Sequence, residues 1–357
     1  MKPRRLLTVS KETGMPGAET RQARMVGRLT ELGWSVDEDS IFRPTKTIVQ
    51  PRRLGSAAIV AALVARHLVS RSNFFTFDPA IFVGLRLNPF LIGKKGFFFC
   101  RNDQIYQKEE IGSFYGVRER TLIPYLTQLF CLLFADKYVV QTSHAKLRLI
   151  KRFYPFKVLG LQNKIVVLHN DVHVKYTETA RKTISDEFID LAFISNPAWY
   201  KKGFPKIVEL AEFSNLLSKK LRLHIMGEGP DFDLLLQKLD GLNVTYKAYG
   251  RTDWMSLGLP DIDFVIAPSV VDHFPNLLIE CAACSVPLLL SDIEAHTYIY
   301  PQHPGFFNLE NFREDLINLL NDPHTDSLKE EIIESQKKYS NKLKSAWSSS
   351  NLEVVFG

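Results

Sequence analysis

The sequence predicts an α/β protein built from two parallel, doubly wound sheets. In both halves of the 357-residue chain, short apolar segments rich in β-branched residues alternate with stretches of helical periodicity. Strands that alternate with helices of roughly ten to fourteen residues indicate parallel sheets. A polar stretch without regular apolar spacing, residues 174–187, separates the two series and is the best linker candidate. We therefore expect two Rossmann-like domains that face a central cleft.

Three regions follow from this division. Residues 1–174 form the predicted N-terminal domain, which begins with a strand near Leu6, and residues 188–325 form the predicted C-terminal domain. Residues 326–350 predict a polar C-terminal helix. With 357 residues, each domain is large enough to bury a core of its own.

The composition restricts the classes of function. Hydrophobic residues make up 45% and charged residues 24% of the chain, which is ordinary for a soluble protein. The net charge of +6 fits simple solubility or attraction to an anionic partner such as a nucleotide or a phospholipid. The basic residues are scattered without interleaved aromatic residues, so we expect no nucleic-acid partner. The apolar stretch at 121–140 contains Pro124, Gln128, Asp136 and Lys137, which favours a buried helix that runs into a strand.

The cysteines and histidines do not predict a metal site. Cys281 and Cys284 have CxxC spacing, but they lie on an apolar helix and no second pair accompanies them, so core packing is the favoured interpretation. His169 and His173 lie in a loop, without a helix that carries a metal-binding carboxylate.

The sharpest signal is the segment from Asp261 to Ile293. DFVIAPS and VPLLLSDI predict two buried strands, and LLIECAACS predicts a helix between them. Such a βαβ unit binds ligands at the carboxyl ends of its strands. At that end the sequence places Asp272, His273, Asn276 and Glu280.

Asp272 and Glu280 lie on either side of the predicted helix start. A helix N-terminus offers unpaired N–H groups to a phosphate, and the two carboxylates can then bind hydroxyls on either side of a diphosphate. The alternatives are a capping role for Asp272 and simple exposure on the polar side of the helix for Glu280.

This segment resembles the acidic motif of the retaining family 4 glycosyltransferases, which have the GT-B fold. The family segment commonly reads E-G-F-P-N-x-L-x-E-A-x-A-x-G-x-P, and here it reads D-H-F-P-N-L-L-I-E-C-A-A-C-S-V-P. The sequence departs from the family pattern at Asp272, which replaces Glu, and at His273 and Ser285, which replace Gly.

Other stretches extend the resemblance over residues 188–293. FISNPAWYKKGFPKIVELA resembles the segment in which a lysine binds the donor diphosphate, and that lysine matches Lys202. The arginine that usually precedes it falls on Pro197, and Arg251 is the nearest substitute. A solvated surface lysine is the alternative for Lys202. In the GT-B fold, a C-terminal helix such as the one predicted at 326–350 crosses back to the N-terminal domain.

The resemblance implies a role for each site residue. Asp272 would contact the transferred sugar, Lys202 the diphosphate and Glu280 the ribose hydroxyls. The other predicted donor-binding residues are Arg251, Gly227, Phe274, Pro275, Asn276 and Leu277.

In the N-terminal domain the predicted site residues are fewer. Gly14 and Gly17 follow the first strand, where a glycine-bearing loop meets an acceptor or a phosphate. Asp103 follows the strand GFFFC and is the predicted acceptor base, with a capping role as the alternative. Arg52 and Arg53 are expected to be surface charges, and contact with anionic lipid is the alternative.

The implied function is a retaining, metal-independent hexosyltransferase. It would use a nucleotide-activated sugar, UDP preferred, and no cofactor, and would act on a glycan or lipid-linked acceptor in the synthesis of a bacterial surface polysaccharide, lipopolysaccharide or glycolipid. The expected location is the cytoplasm, with peripheral contact to anionic lipid at the inner face of the cytoplasmic membrane. Two alternatives remain open: a non-catalytic GT-B protein that binds a sugar nucleotide or glycan, and a sugar-nucleotide epimerase.

Overall fold

The computed structural model divides the chain into two compact units. Unit 1 comprises residues 1–105, 120–171 and 346–357, and unit 2 comprises residues 106–119 and 172–345. The residues that the structure describes are 4–10, 25–31, 34–40, 73–76, 82, 86, 95–100, 103–116, 122–154, 160–170, 187–252, 254, 262–344 and 355.

Unit 1 contains a six-stranded parallel sheet in the order β2-β1-β3-β4-β5-β6. The strands are β1 (Arg4–Ser10), β2 (Trp34–Ser40), β3 (Asn73–Thr76), β4 (Gly96–Cys100), β5 (Lys137–Val140) and β6 (Ile165–Val167). Helix α1 (Gln104–Tyr115) follows β4 and belongs mostly to unit 2, whereas α2 (Leu122–Phe134) and α3 (Ser143–Arg152) belong to unit 1, in which residues 25–31 are also helical. The N-terminus of α3 is capped, because Thr142 Oγ1 accepts the N–H of Ala145 at 3.0 Å.

Unit 2 contains a second six-stranded parallel sheet, in the order β12-β11-β10-β7-β8-β9. Its strands are β7 (Phe188–Ile194), β8 (Lys220–Met226), β9 (Thr245–Gly250), β10 (Phe264–Ala267), β11 (Leu288–Ser291) and β12 (Phe306–Phe307). Its helices are α4 (Phe204–Glu212), α5 (Pro230–Asp240), α6 (Asn276–Ala283), α7 (Glu294–Ile299), α8 (Phe312–Leu320) and α9 (Thr325–Lys344).

The predicted C-terminal helix is present as α9, and it packs within unit 2. Lys329 Nζ lies 2.6 Å from Asp263 Oδ1 just before β10, and both side chains are buried. Gln336 accepts the N–H of Leu288 and donates to the carbonyl of Val286, at 3.1 and 3.0 Å. Within the described residues the helix extends to Lys344, and residues 346–357 group with unit 1.

The strand order reverses once in each sheet, and this reversal locates the site. In unit 2 the chain runs outward from β7 through β8 to β9, and β10 then pairs with the opposite side of β7. The loops after β7 and β10 therefore leave the sheet in opposite directions at their carboxyl ends. Ligands of open parallel sheets bind at such a point.

The alternation of strands and helices predicted from the sequence is confirmed in both halves. The stretch at 121–140 is a helix followed by a strand, as predicted. Among the described residues, no helix has the length and apolar character needed to cross a bilayer. All four cysteines are free thiols, and Cys131 and Cys281 are fully buried.

The end of α6 shows how the protein accommodates one departure from the family motif. Ser285 has a φ of 55°, and it is the one non-glycine residue with positive φ among those described. It lies just past the helix, where the left-handed conformation favours glycine. The family glycine at this position therefore has a backbone reason, and serine adopts the same conformation at a cost.

We predict that Ser285→Gly stabilises the protein by about 1 kcal/mol, because glycine carries no penalty in the left-handed region. The matched control is Ser335→Gly in the interior of α9, which should destabilise by about 1 kcal/mol because glycine is a poor helix former. Urea unfolding at neutral pH measures both changes. Equal effects of the two substitutions would contradict the role of φ at position 285.

Candidate functional site

Two loops meet at the switch point of unit 2. The first, residues 195–203, follows β7, and the second, residues 268–275, follows β10. The N–H of Val270 donates to the carbonyl of Lys201 at 3.0 Å, which joins the two loops directly. Gly203 has a φ of 71°, and a Cβ on it would overlap the backbone carbonyl of Pro268. Only glycine allows this close approach.

An ion pair links the same two loops. Lys202 Nζ contacts Asp272 Oδ2, and the Lys202 side chain is 21% exposed whereas that of Asp272 is 7% exposed. The N–H of His273 also donates to Asp272 Oδ1 at 2.8 Å. Burial alone would raise the pKa of Asp272, but the charges of Lys202 and Lys201 outweigh it and hold the pKa well below its usual range. The site therefore contains a buried, ionised carboxylate beside an accessible ammonium group.

A polar network supports the second loop from β11. Ser291 Oγ donates to the carbonyl of Ser269 at 2.6 Å. His296 is fully buried, and its Nδ1 lies 2.8 Å from the carbonyl of Ser291, so that nitrogen carries the proton. Burial lowers the pKa of His296 to about 4, although the negative charge of Asp272 acts in the opposite direction. A neutral imidazole is thus fixed beneath the ion pair.

A third loop, after β8, borders the first. The N–H of Trp199 donates to Asp231 Oδ2 at 3.0 Å, which attaches the first loop to the start of α5. Gly227 leaves space for the Phe232 ring, which a Cβ would overlap. Arg251 follows β9, and its Nη1 lies 3.6 Å from the exposed Glu228 carboxylate. An exposed pair at that distance is weak, so Arg251 is available to a ligand.

The start of α6 lies next to the ion pair in sequence. Pro275 occupies the N-cap position, and no side chain caps the helix. Asn276 and Leu277 form its first turn and are half-buried, and Glu280 on the next turn is also half-buried. Uncapped N–H groups at this end favour an anion.

One predicted donor contact has no support in the geometry. Phe274 is fully buried in a cluster with Leu278, Leu290 and Tyr300, so its side chain anchors the loop in the core. Sequence position alone did not show whether the ring points into the core or toward a ligand.

Sequence reasoning missed a segment that covers the site loops. Residues 106–119 group with unit 2, although they lie between two stretches of unit 1. Tyr106 lies against the His273 ring with 6.1 Å between centroids, and Tyr115 lies against Tyr200 with 4.7 Å. Lys206 Nζ is 5.8 Å from the centre of the Phe114 ring. These are long-range contacts that leave no periodic signal in the sequence.

The predicted acceptor base, Asp103, is held in an ion pair in unit 1. Arg152 Nη1 lies 2.9 and 2.8 Å from its two carboxylate oxygens, and Gln128 Nε2 lies 3.3 Å away. The side chain of Asp103 is 4% exposed. A general base needs an oxygen within reach of the acceptor hydroxyl. These contacts give Asp103 a structural role that ties the end of β4 to α2 and α3.

Several residues discussed in the sequence analysis lie outside the described residues. Gly14, Gly17, Arg52, Arg53 and His173 belong to this group. In the described parts of both units, no group of three or more His, Cys, Asp or Glu side chains is placed to hold a metal ion.

Comparison with solved structures identifies the fold. Solved structures with similar folds include sucrose-phosphate synthase from Thermosynechococcus elongatus, with a TM-score of 0.72, 14% identity, and coverage of 95% of this chain and 94% of that one. WaaG, a glycosyltransferase involved in lipopolysaccharide biosynthesis, has a TM-score of 0.69, 15% identity, and coverage of 99% and 100%. The fold of this chain is thus that of the GT-B glycosyltransferases, as the sequence predicted.

A third similar structure is of a longer protein. A mutant of S. aureus TarM, in complex with fondaparinux, alpha-GlcNAc-glycerol and UDP, has a TM-score of 0.62 and 16% identity. The alignment covers 84% of this chain, which spans 59% of the TarM chain.

The sequence match is confined to unit 2. Residues 190–322 match the family model described as glycosyl transferases group 1. This match includes Lys202, Asp272 and Glu280, and it confirms the resemblance to group 1 glycosyltransferases. No curated protein sequence matches the chain significantly.

We predict that Gly203→Ala destabilises the protein by about 2–4 kcal/mol, because a Cβ would overlap the Pro268 carbonyl and positive φ disfavours alanine. The control is Gly241→Ala after α5, where φ is −82° and the nearest atom to a Cβ is Lys238 O at 3.6 Å. That control should be neutral or stabilise by up to about 1 kcal/mol. Urea unfolding distinguishes the two, and a Gly203→Ala protein as stable as the wild type would contradict the close contact.

Proposed function

We propose that this protein is a glycosyltransferase that moves a sugar from a nucleotide-activated donor to a glycan or lipid-linked acceptor. The observation that carries the proposal is the Lys202–Asp272 ion pair, which joins the loops after β7 and β10 at the switch point of unit 2. The group 1 family match over the same residues supports it.

The main difficulty in this chemistry is the negative charge that develops on the leaving group. The bond between the anomeric carbon and the diphosphate oxygen breaks, a bond to the acceptor oxygen forms, and the acceptor hydroxyl loses its proton. Negative charge grows on the leaving diphosphate and must be stabilised. Lys202 supplies a fixed cation, and the uncapped start of α6 supplies N–H groups. An oxygen of the leaving diphosphate can take the released proton, and the alternative acceptor is Asp103, whose carboxylate is paired with Arg152.

Asp272 and Glu280 then bind hydroxyl groups. Asp272 is ionised in spite of its burial, so it accepts hydrogen bonds from the transferred sugar. Glu280 on the second turn of α6 accepts from the ribose hydroxyls. Arg251, Gly227, Pro275, Asn276 and Leu277 complete the proposed donor site, with Gly14 and Gly17 on the acceptor side.

The finer assignments follow from the resemblance and from related structures. We propose a UDP-hexose donor, since the TarM complex contains UDP. We propose a role in bacterial surface polysaccharide or glycolipid synthesis, since WaaG acts in lipopolysaccharide biosynthesis. We also propose that transfer retains the anomeric configuration and needs neither a metal ion nor a cofactor. The proposed location is the cytoplasm, with peripheral contact to an anionic membrane.

A thermal-shift screen with UDP, GDP, dTDP, ADP and CMP tests the donor site, because a ligand that binds the native state raises its unfolding midpoint. We expect a shift with UDP that EDTA does not abolish. Lys202→Ala should weaken binding about 10- to 100-fold, since it removes a charge-assisted contact. The control is Lys220→Ala, because Lys220 is 70% exposed and pairs with Glu187 away from the site. It should bind as the wild type does.

Turnover distinguishes the proposed enzyme from its alternatives. Glu280→Ala should abolish transfer while circular dichroism and the unfolding midpoint stay unchanged, and undiminished transfer would refute the assignment. Binding of UDP with no transfer to any glycan or lipid-linked acceptor would favour the non-catalytic protein. Interconversion of donors without an acceptor would identify an epimerase.

A further inference from the structure

Helix α2 in unit 1 is a surface helix without a single charged side chain. Its sequence is LIPYLTQLFCLLF, and one side of it, with Gln128, Cys131 and Leu132, is buried against the sheet. A surface helix normally presents polar residues on its other side. Here the exposed residues are instead large and apolar, namely Leu122, Ile123, Leu126 and Phe134 at 67%, 78%, 55% and 51%.

Helix α3 lies beside α2 and extends this surface. Tyr125 of α2 contacts Phe153 at the end of α3, with 5.0 Å between ring centroids. On α3 and just after it, Leu147 and Tyr154 are each 62% exposed. Among the described residues, ten large apolar side chains are exposed, and six of them belong to this surface. The apolar patch consists of Leu122, Ile123, Leu126, Phe134, Leu147 and Tyr154.

The stretch of sequence that contains the patch has an excess of positive charge. Between Arg120 and Asn170 the sequence contains eight Lys and Arg residues and one acidic residue, Asp136. The structure pairs Asp136 with Arg86, so this carboxylate is neutralised. This stretch thus carries a larger positive excess than the +6 of the whole chain.

Some of these basic residues have structural partners, and two lysines lie on α3. Arg152 binds Asp103, and Lys164 donates to the carbonyl of Leu133 at the end of α2, at 2.8 Å. Lys151 is exposed on α3 between Leu147 and Tyr154, and Lys146 is half-buried one turn earlier. The exposed side of α3 therefore combines a cation with two apolar side chains.

We propose that the apolar patch on α2 and α3 is a docking surface for an anionic lipid bilayer. The apolar side chains would lie at the boundary between headgroups and acyl chains, while Lys146 and Lys151 bind lipid phosphates. A bilayer fits better than a protein partner, because an exposed apolar helix beside the two lysines of α3 matches a membrane surface, which has an apolar interior beneath a uniformly anionic layer of headgroups. With 13 residues, α2 is about 20 Å long, too short to cross the hydrocarbon core.

The apolar patch on α2 and α3 would be the membrane contact that belongs to the proposed function. Its test needs no turnover, so a failure here leaves the proposed glycosyl transfer untouched, and a failure of transfer leaves this surface untouched.

The experiment is co-sedimentation of the full chain with vesicles of phosphatidylcholine alone and of phosphatidylcholine with phosphatidylglycerol. We expect binding to the anionic vesicles, and weaker binding at high salt. The double variant Ile123→Ser with Leu126→Ser should bind at least tenfold more weakly. The matched control replaces two exposed leucines of unit 2, Leu216→Ser with Leu234→Ser, and should bind as the wild type does.

A charge variant tests the second part of the proposal. Lys146→Glu with Lys151→Glu should lose the preference for phosphatidylglycerol, and urea unfolding verifies that each variant is folded. Wild-type protein that stays in the supernatant with both vesicles would overturn the proposal, and so would equal binding by the Ile123→Ser, Leu126→Ser variant. A change in oligomeric state of that variant, measured by light scattering without lipid, would assign the patch to contact between copies instead.

Discussion

The Lys202–Asp272 ion pair constrains the two loops at the carboxyl ends of β7 and β10 in unit 2. A buried carboxylate without a partner costs several kcal/mol, so the two loops must approach each other closely enough for the lysine to reach it. The bond between Val270 and Lys201 and the contact of Gly203 with Pro268 bring about that approach. Because the pair is preformed, the cation is already in position before a ligand arrives, which lowers the entropic cost of binding.

The sequence was sufficient to predict elements whose signal is local. The buried strand in VPLLLSDI and the helix after Pro275 depend on neighbouring residues, and the structure has both where predicted. Side-chain direction at the site was not predictable in the same way. The ring of Phe274 and the carboxylate of Asp103 are both engaged by residues distant in sequence, which no periodicity records.

The departures from the family motif are accommodated by the surrounding structure. Ser285 keeps the left-handed backbone conformation that the usual glycine provides. His273, where the family has glycine, packs against Tyr106 and is 7% exposed, so the larger side chain fills space beneath α1. Asp272, shorter than glutamate, still reaches Lys202. None of these substitutions removes a charged group that the proposed chemistry uses.

The segment 106–119 has a consequence for protein engineering. A chimera that exchanges the halves of two related glycosyltransferases would ordinarily be cut once, near the predicted linker at 174–187. In this chain such a cut would separate Tyr106, Phe114 and Tyr115 from the unit on which they pack. A chimera that keeps unit 2 intact therefore has to transplant two pieces of polypeptide, one of them from inside the first half of the chain.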